Sequence, residues 1–345
     1  MSMHRRDLLK LAAAGSMLGL APAFVRAQGS ARKVHIAVGG KALIYYLPLS
    51  AAEQLGYFRD EGLDVTISDF AGGSRALQAV VGGSADVVSG AFEHTISLQS
   101  KGQFYRSLVM QGRAPMIGFG VSTKTLPDYK DAADLKGKKI GVTAPGSSTN
   151  MLLSFFLARH DMKISDVAVI GVGAGAGAVA ALRSGQIDAI LNTDPVISIL
   201  EQSGDIKIIV DTRTVRDTLE IFGGNMPSSC LYAPQKFIDG NAEIVQGLAN
   251  AIVRADRWVH ATPPEQIVEA MPESYRLGDP ALYAFAIGKN IDGLSPDGLV
   301  AQDGPETALK ALVAYNAGFP ADKIDLSKVW TNEYAQRADE KYPHV

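Results

Sequence analysis

The sequence predicts an α/β fold with two similar lobes, each a βαβαβ-based, mostly parallel sheet flanked by helices, followed by a helical C-terminal tail. The first observation is an internal repeat, because GGSRALQAVVGGSADVV at 72–88 aligns with AGAGAVAALRSGQIDAI at 174–190. Short β-branched segments also alternate with short helices in both halves, which is typical of parallel strands joined by right-handed crossovers. Finally, apolar residues recur at helical spacing from residue 241 onward.

Each half of the repeat predicts the same order of elements: strand, helix, strand, helix, strand. In the first half we expect strands at 34–38, 64–68 and 86–89 and helices at 46–56 and 74–82. In the second half we expect strands at 139–143, 167–171 and 188–191 and helices at 148–160 and 176–184. Two such units leave a cleft between them, and open α/β sheets bind ligands at the carboxyl ends of their strands.

The rest of the chain predicts two more strands, at 207–210 and 229–233, and then the helical tail, which Asn241 would cap. We expect the tail to pack on the first lobe, so the chain would cross between the lobes near 116–121 and again near 220–228. The predicted first lobe is therefore 31–117 with 222–345, and the predicted second lobe is 118–221.

The first 27 residues predict an export signal rather than a part of the fold. MSMHRRDLLK precedes an apolar run that ends at the small-x-small pattern Val25-Arg26-Ala27. The pair Arg5-Arg6 resembles a twin-arginine signal, although an ordinary secretory signal with two arginines fits as well. No cysteine stands at the cleavage site, and no later apolar run reaches the roughly 18 residues of a membrane span. We expect a soluble periplasmic protein without a lipid anchor.

Composition excludes several functional classes. The 345 residues include 33 basic and 36 acidic ones and no long basic block, so we expect no nucleic-acid binding. One cysteine, Cys230, allows neither a disulfide nor a thiolate metal site. The six histidines are scattered, and no G-x-S-x-G elbow occurs. GVGAGAGA at 171–178 resembles part of a dinucleotide fingerprint, but its repeat counterpart lacks the pattern. We therefore predict no cofactor, no metal and no catalytic residue.

The predicted ligand site lies where strands end and helices begin. Pro145-Gly146-Ser147-Ser148-Thr149 offers free backbone N–H groups and hydroxyls at a helix N-terminus, which suit an anion, although an ordinary helix cap explains single hydroxyls. Gly72 to Arg75 repeats this arrangement in the first half. Arg75 would pair with a carboxylate or sulfonate, or else point to solvent.

Aromatic and acidic residues complete the candidate set. Tyr45, Tyr46 and Phe92 could form walls of the cleft. Alternatively, one of the two tyrosines lies in the core, and the same alternative holds for Phe92. Glu93 and Asp194 would repel an anion if both faced it, in which case the ligand carries a cationic or hydrogen-bond-donating group. His94, next to Glu93, is expected to be structural.

Four motifs in order resemble a known family: AAEQLGYFRDEGLDV, GGSRALQAVVGGSADV, DLKGKKIGVTAPGSSTN and GQIDAILNTDP. They are similar to the periplasmic substrate-binding proteins of ABC importers, in the group for nitrate, taurine, aliphatic sulfonates and thiamine-precursor pyrimidines. The resemblance covers roughly residues 34–260. It implies the type II periplasmic binding protein fold. It also implies a monomer that delivers a small-molecule ligand to a membrane permease without changing the ligand chemically. The pyrimidine-synthesising relatives use a Cys-rich motif, which a chain with only Cys230 cannot contain.

The resemblance and the repeat together predict the ligand contacts. The sequence departs from the family pattern at one place, because NTDP at 192–195 stands where many members have an aromatic residue. The predicted set is Gly40, Lys41, Tyr45, Tyr46, Gly73, Ser74, Arg75, Phe92, Glu93, Pro145, Gly146, Ser147, Ser148, Thr149, Asn192 and Asp194. We expect an anionic or zwitterionic organic ligand of the sulfonate or carboxylate type. A pyrimidine-type nitrogen heterocycle, a periplasmic enzyme on the same fold and a sensor that docks on a membrane receptor remain alternatives.

Overall fold

The computed structural model describes residues 31–316 and 318–342, so the predicted export signal lies outside the described residues. Within these ranges the chain forms ten strands: β1 (Arg32–Val38), β2 (Leu63–Asp69), β3 (Val87–Ala91), β4 (Tyr105–Met110), β5 (Ile117–Ser122), β6 (Lys139–Val142), β7 (Ala168–Gly171), β8 (Ala189–Thr193), β9 (Ile206–Asp211) and β10 (Ser229–Pro234). All the strands expected from the repeat are present.

Helices separate these strands and make up most of the chain after residue 234. The described residues contain α1 (Leu47–Gln54), α2 (Tyr57–Asp60), α3 (Gly73–Val81), α4 (Glu93–Gln99), α5 (Ser148–Arg159), α6 (Ala176–Ser184), α7 (Val196–Gln202), α8 (Val215–Phe222), α9 (Gln235–Gly240), α10 (Ala242–Ala261), α11 (Pro264–Ala270), α12 (Pro280–Asn290), α13 (Gly304–Tyr315) and α14 (Glu333–Lys341). None of these helices is long and apolar enough to cross a membrane.

The strands form two five-stranded sheets with corresponding strand orders. The first sheet has the order β2-β1-β3-β10-β4 and the second has the order β7-β6-β8-β5-β9. In the first sheet only β10 runs antiparallel to its neighbours, and in the second only β5 does, among the described strands. The fold prediction of two mostly parallel sheets is thus confirmed. We call each sheet with the helices packed on it a lobe.

Apolar side chains cover both faces of each sheet. On β1, Ile36 belongs to the core beneath α1 and α10, whereas its neighbour Ala37 belongs to the core beneath α3 and α4. In the second lobe, Val142 packs with residues of α5 and Ile190 packs with residues of α6 and α7. This alternation follows from the period of two in a β-strand, and buried parallel sheets require it.

The chain passes between the sheets through 111–116 and returns through 212–228, and the two crossings are joined by hydrogen bonds. The N–H of Met116 donates to the Thr212 carbonyl at 2.9 Å. The prediction of a crossing at 116–121 is wrong, because 117–122 is strand β5. The strand was not predicted because Gly118 and Gly120 lack the side chains that indicate a strand. Glycine is needed there because a Cβ at Gly118 would lie 2.6 Å from the side chain of Ile197, and one at Gly120 would lie 2.6 Å from that of Ile206. The predicted lobe boundaries stay a prediction.

The C-terminal tail contacts both lobes. Helices α10 and α14 pack on the first lobe, whereas α12 contacts α7 and α13 contacts α5 of the second lobe. Asn241 precedes α10 but does not cap it, because its side-chain amide donates to the Phe237 carbonyl at 2.8 Å. The tail therefore brings helix α13 against α5 of the second lobe.

Candidate ligand cleft

The loops at the carboxyl ends of the strands meet closely across the cleft. A Cβ at Gly39 would lie 2.3 Å from the Gly72 backbone, and one at Gly72 would lie 2.7 Å from the Cβ of Ala144 in the second lobe. Gly72 also has φ of +153°, a conformation that side chains rarely adopt. Glycine is thus required at positions 39 and 72 by the close approach of neighbouring loops.

Several hydrogen bonds join the lobes across the cleft. The Ser74 hydroxyl donates to the Pro145 carbonyl at 2.8 Å. The N–H of Ile44 donates to the Asp194 carbonyl at 2.9 Å. His94 Nε2 lies 3.3 Å from the Gly146 carbonyl oxygen. These bonds use backbone carbonyls at the ends of second-lobe strands, so lobe closure depends on the predicted loops.

His94 joins the lobes as a neutral side chain. Because a carbonyl only accepts, Nε2 carries the proton, and Nδ1 accepts from the Tyr232 hydroxyl at 3.0 Å. Burial lowers the pKa of His94 to about 4, and the Gly146 carbonyl only partly opposes this. The expectation of a structural role for His94 agrees with this geometry, in which both ring nitrogens are occupied.

A compartment with a cavity volume of about 30 Å³ lies between the loops, and we call it the polar compartment because hydroxyl and N–H groups line it. Its walls come from the first lobe (Gly39, Leu43, Tyr45, Tyr46, Gly73, Ala91) and the second lobe (Ile117, Thr143, Ser147, Ser148, Thr149, Thr193). The backbone N–H groups of Ser148 and Thr149 open helix α5 and have no acceptor among the described residues. The buried Thr193 hydroxyl likewise has no partner there. This compartment therefore offers free donors to an acceptor atom of a ligand.

The hydroxyls of Thr143, Ser147 and Thr149 bond mainly to one another. Thr143 Oγ1 lies 2.7 Å from Ser147 Oγ and 2.9 Å from Thr149 Oγ1, and Ser147 Oγ also donates to the Ala144 carbonyl at 2.7 Å. The cluster fixes the loop geometry at the start of α5. Its members line the compartment, but most of their donor capacity is already used.

An apolar compartment with a cavity volume of about 30 Å³ adjoins the polar one. Tyr45, Ile117 and Ser148 line both compartments, so they mark the junction. The other walls are Glu93, Pro115, Met151, Leu152, Phe155, Phe222, Met226, Pro227, Ser228, Ala308, Ala311 and Leu312. Among the residues that the structure describes, no lysine or arginine lines either compartment.

Glu93 is the acidic group that lines the apolar compartment. Its side chain is 4% exposed, and no basic side chain forms an ion pair with it in the described part of the chain. Burial raises the pKa of its carboxyl to about 7, although its own backbone N–H and the Ser148 hydroxyl act in the opposite direction. The carboxyl can therefore exchange its proton near neutral pH, and a cation or a donor beside it would favour the ionised form.

Tyr45 and Tyr46 form one wall of the polar compartment. Their rings meet edge to face with centroids 4.8 Å apart. Burial, reinforced by the Glu93 carboxylate, raises the pKa of both phenols above the usual value of 10, so both stay neutral. The sequence left open whether one of them lies in the core; both tyrosines line the cleft and both also belong to the buried core of the first lobe.

Several predicted site residues lie away from both compartments. Lys41 donates to Glu53 at 2.7 Å, Arg75 is exposed on α3, and Phe92 is buried in the core of the first sheet. Gly40 donates its N–H to Asp69 at 2.8 Å. Asn192 donates to the Gly173 carbonyl at 3.0 Å. These contacts occupy the groups that a ligand would need, so the structure gives these residues other partners.

Asp194 also differs from the prediction, because its carboxylate belongs to a buried network. Its Oδ1 accepts from the Ser198 N–H, and its Oδ2 accepts from Asn290 Nδ2, both at 2.6 Å. Arg213, whose side chain is 3% exposed, lies 3.5 Å from the same carboxylate. The adjacent residue Thr193 lines the cleft instead.

Sequence reasoning missed the apolar half of the cleft. Met151 and Phe155 are spaced i and i+4 on α5, which was a readable signal for a shared face. Phe222, Met226 and the residues of α13 come from distant parts of the chain, and no local pattern connects them to the site.

Comparisons with known proteins agree with this architecture. The NMT1-like family model matches residues 29–271. The putative binding protein YtlA from Bacillus subtilis is 25% identical over 272 residues, covering 74% of this chain and 76% of YtlA. A 4-amino-5-hydroxymethyl-2-methylpyrimidine phosphate synthase from Candida albicans is 26% identical over 253 residues, covering 70% of this chain and 71% of the enzyme.

Solved structures share the fold. A protein from Bordetella bronchiseptica RB50 is 69% identical with a TM-score of 0.90, covering 92% of this chain and 99% of that one. The alkanesulfonate-binding protein SsuA from Xanthomonas axonopodis pv. citri is 18% identical with a TM-score of 0.67, covering 88% and 99%. The fold is that of the periplasmic binding proteins, and the chain belongs to the NMT1-like family.

Proposed function

We propose that the protein is the periplasmic solute-binding component of an ABC import system. It closes its two lobes over a small organic molecule and delivers that molecule to a membrane permease without changing it. The periplasmic binding protein fold and the relatives named as binding proteins support a solute-binding role. The permease partner and the periplasmic location rest on the resemblance and on the predicted export signal.

The ligand is best described as a nitrogen compound with a hydrogen-bond donor or a cationic head. The observation that carries this is Glu93, a buried carboxyl without an ion-pair partner among the described residues, which lines the apolar compartment; no lysine or arginine lines either of the two compartments. An ionised sulfonate or carboxylate there would meet a like charge in a low-dielectric site, which is unfavourable. The charge of the lining thus favours the pyrimidine-type alternative over the sulfonate expectation.

The polar compartment requires, in addition, a hydrogen-bond acceptor atom on the ligand. The free N–H groups of Ser148 and Thr149 lie beside Glu93, since the Ser148 hydroxyl interacts with its carboxyl. An aminopyrimidine or amidine presents a donor and an acceptor on neighbouring atoms and satisfies both. The relative from Candida albicans is named for synthesis of an aminopyrimidine, which supports this class.

A binding role, rather than catalysis, is supported by the groups around the cleft. Cys230 is fully buried in β10, and burial raises the pKa of its thiol to about 12, so it is a poor nucleophile. His94 has both nitrogens engaged and its pKa is lowered, which makes it a poor general base.

A thermal-shift screen tests this proposal. Aminopyrimidines, amidines and alkylamines form one panel, and nitrate, taurine, alkanesulfonates and carboxylates form the other, all at pH 8. A ligand at about 100 times its Kd should raise the free energy of unfolding by about 2.7 kcal/mol. We expect shifts with the nitrogen panel, and we expect unchanged ligand to be recovered after incubation.

Two outcomes would contradict the proposal. Shifts confined to the anion panel would overturn the ligand class while leaving transport intact. Recovery of a chemically altered ligand, abolished by heat denaturation of the protein, would replace binding with catalysis.

A further inference from the structure

We propose that the second lobe carries a binding site of its own, separate from the cleft, for a small carboxylate with an aryl or alkyl body. The site is a groove bounded by Phe156 on α5, Val210 on β9 and Ile221 on α8, and we call it the α5–β9 groove. Its cavity volume is about 290 Å³, near the lower end of the roughly 300–1,000 Å³ of small-molecule pockets. Each compartment of the cleft has only about 30 Å³. This second site does not depend on the proposed function of the cleft.

One face of α5 supplies most of the lining. The residues that it contributes lie at i, i+3, i+4, i+7 and i+8, which is the pattern of a single helix face, and they are Leu152, Phe155, Phe156, Arg159 and His160. The first three are apolar and the last two are basic, so the face becomes basic toward the end of the helix. Leu152 and Phe155 also line the apolar compartment, so the groove lies behind one wall of the cleft. A molecule with an apolar body and an anionic end matches this gradient.

A β-bulge on β9 brings two consecutive apolar side chains to the groove. Val210 pairs with Phe119 and Ile208 pairs with Gly120, so Ile209 has no residue opposite it on β5. Neighbouring side chains of a regular strand point to opposite faces, whereas a bulge redirects one of them. Both Ile209 and Val210 consequently line the groove. Bulges of this kind are frequent beside functional sites.

The apolar part of the groove remains accessible to solvent. Its half-buried members are Phe155, Phe156, Ile209, Val210 and Ile221. Contiguous apolar surface of this kind is uncommon on soluble proteins and marks binding grooves or interfaces. An apolar body laid in the groove would remove this surface from water, which favours binding.

The basic end of the groove has no acidic partner. In the part of the chain that the structure describes, Arg159 forms no ion pair and no aspartate or glutamate lines the groove. The guanidinium is held in place, because Nη1 donates to the Ile221 carbonyl and the group lies 5.8 Å from the centroid of the Phe155 ring. The His160 ring packs beside Phe156 with centroids 4.6 Å apart. Nε and Nη2 of Arg159 are left to donate to a carboxylate, whose two oxygens match that pair of donors.

Titration of benzoate into the unaltered protein at pH 7, followed by the isoleucine methyl signals in NMR spectra, tests the site. The signals of Ile209 and Ile221, which line the groove, should shift with a Kd below about 1 mM. The signal of Ile117, which lines both compartments of the cleft, should stay in place. Benzamide lacks the charge and acetate lacks the ring, so each should bind at least tenfold more weakly than benzoate.

Two arginine variants provide a matched pair. Arg159→Gln removes the charge at the basic end of the groove and should weaken benzoate binding at least about tenfold, because a hydrogen bond between charged groups is lost. Arg183→Gln removes the same charge from the last turn of α6 in the same lobe, outside the groove, and should leave the Kd of benzoate unchanged. Both arginines lie in the last turn of a helix, so the pair also controls for the interaction of a cation with the helix dipole.

Three outcomes would overturn the second site. Benzoate that shifts Ile117 but neither Ile209 nor Ile221 would bind in the cleft instead. Equal binding of benzoate and benzamide, or equal losses in Arg159→Gln and Arg183→Gln, would exclude Arg159 as the group that recognises the carboxylate. Absence of any methyl shift would show that the groove takes no such ligand. None of these results decides the proposed function, which is tested with nitrogen compounds.

Discussion

Glu93 and Asp194 are two buried carboxyls in neighbouring loops of the same cleft, and their surroundings differ. Asp194 has Arg213, Asn290 and the Ser198 N–H around its oxygens. Within the described part of the chain, Glu93 has the Ser148 hydroxyl and its own backbone N–H as partners and no basic side chain. A buried charge with partners supports the fold, whereas one without partners costs stability that a ligand can restore. The comparison supports a structural role for Asp194 and is consistent with the recognition role that we propose for Glu93.

The largest expected effect concerns the partnered carboxyl. Arg213→Met removes the cation that contacts Asp194, Glu201 at 2.9 Å and Asp211 at 2.5 Å. Breaking a buried ion pair on one side should lower the free energy of unfolding by about 3–5 kcal/mol. Urea denaturation at pH 7 measures this. Arg216→Met is the matched control, because Arg216 is 87% exposed and should matter little; equal effects of both changes would refute the structural role of Arg213.

Next comes the pH dependence of the unpartnered carboxyl. The pKa of Glu93 is raised in the folded state to about 7 from its usual 4.5, so its contribution to stability is complete below pH 4.5 and is lost as pH rises to 7. Glu93→Gln should therefore equal the wild type near pH 4 and exceed it by about 2–3 kcal/mol above pH 8.

Urea denaturation at several pH values gives this difference directly. Asp194→Asn provides the contrast, since it should be less stable than the wild type at pH 8. A Glu93→Gln variant that is less stable than the wild type at pH 8 would mean that Glu93 has a partner after all.

A smaller effect concerns lobe closure. Ser74→Ala removes the hydrogen bond to the Pro145 carbonyl across the cleft, which should contribute about 1 kcal/mol to the closed state. Ligand affinity should fall by up to about fivefold. Ser84→Ala removes a similar 2.8 Å bond, to the Ala79 carbonyl within the first lobe, and should leave affinity unchanged. Equal affinities of Ser74→Ala and wild type would exclude this bond from closure.

The smallest effect is expected at Arg75. This residue is exposed and lines neither compartment, so Arg75→Ala should change ligand affinity by less than twofold in calorimetric titration. A loss of tenfold or more would support the pairing of Arg75 with a carboxylate or sulfonate that the sequence predicted.

The fold was largely predictable because the repeat is local and periodic. The β and α segments of both halves follow from side-chain spacing, and the loop at 145–149 follows from its position at a strand end. Strand β5 was missed because Gly118 and Gly120 lack the side chains that signal a strand, and they are required by Ile197 and Ile206 packed against them. Local propensity does not contain that information.

The site was predictable only in part. Ser148 and Tyr45 lie where the strand-end rule puts a ligand, but nothing in the sequence distinguishes Glu93 from Asp194. The distinction depends on Arg213 and on Asn290, which is 96 residues from Asp194. The apolar compartment depends likewise on α13, whose approach to α5 is a tertiary contact. Charge compensation and cavity walls are properties of the folded chain.

The most direct test of the account is calorimetric titration of 4-aminopyrimidine and ethanesulfonate into the wild-type protein and Glu93→Gln at pH 8, where Glu93 is largely ionised in the wild type. The account predicts that 4-aminopyrimidine binds the wild type, that Glu93→Gln weakens this binding at least tenfold, and that ethanesulfonate binds neither protein. Tight binding of ethanesulfonate to the wild type, strengthened by Glu93→Gln, would contradict the assignment of Glu93 as the recognising group.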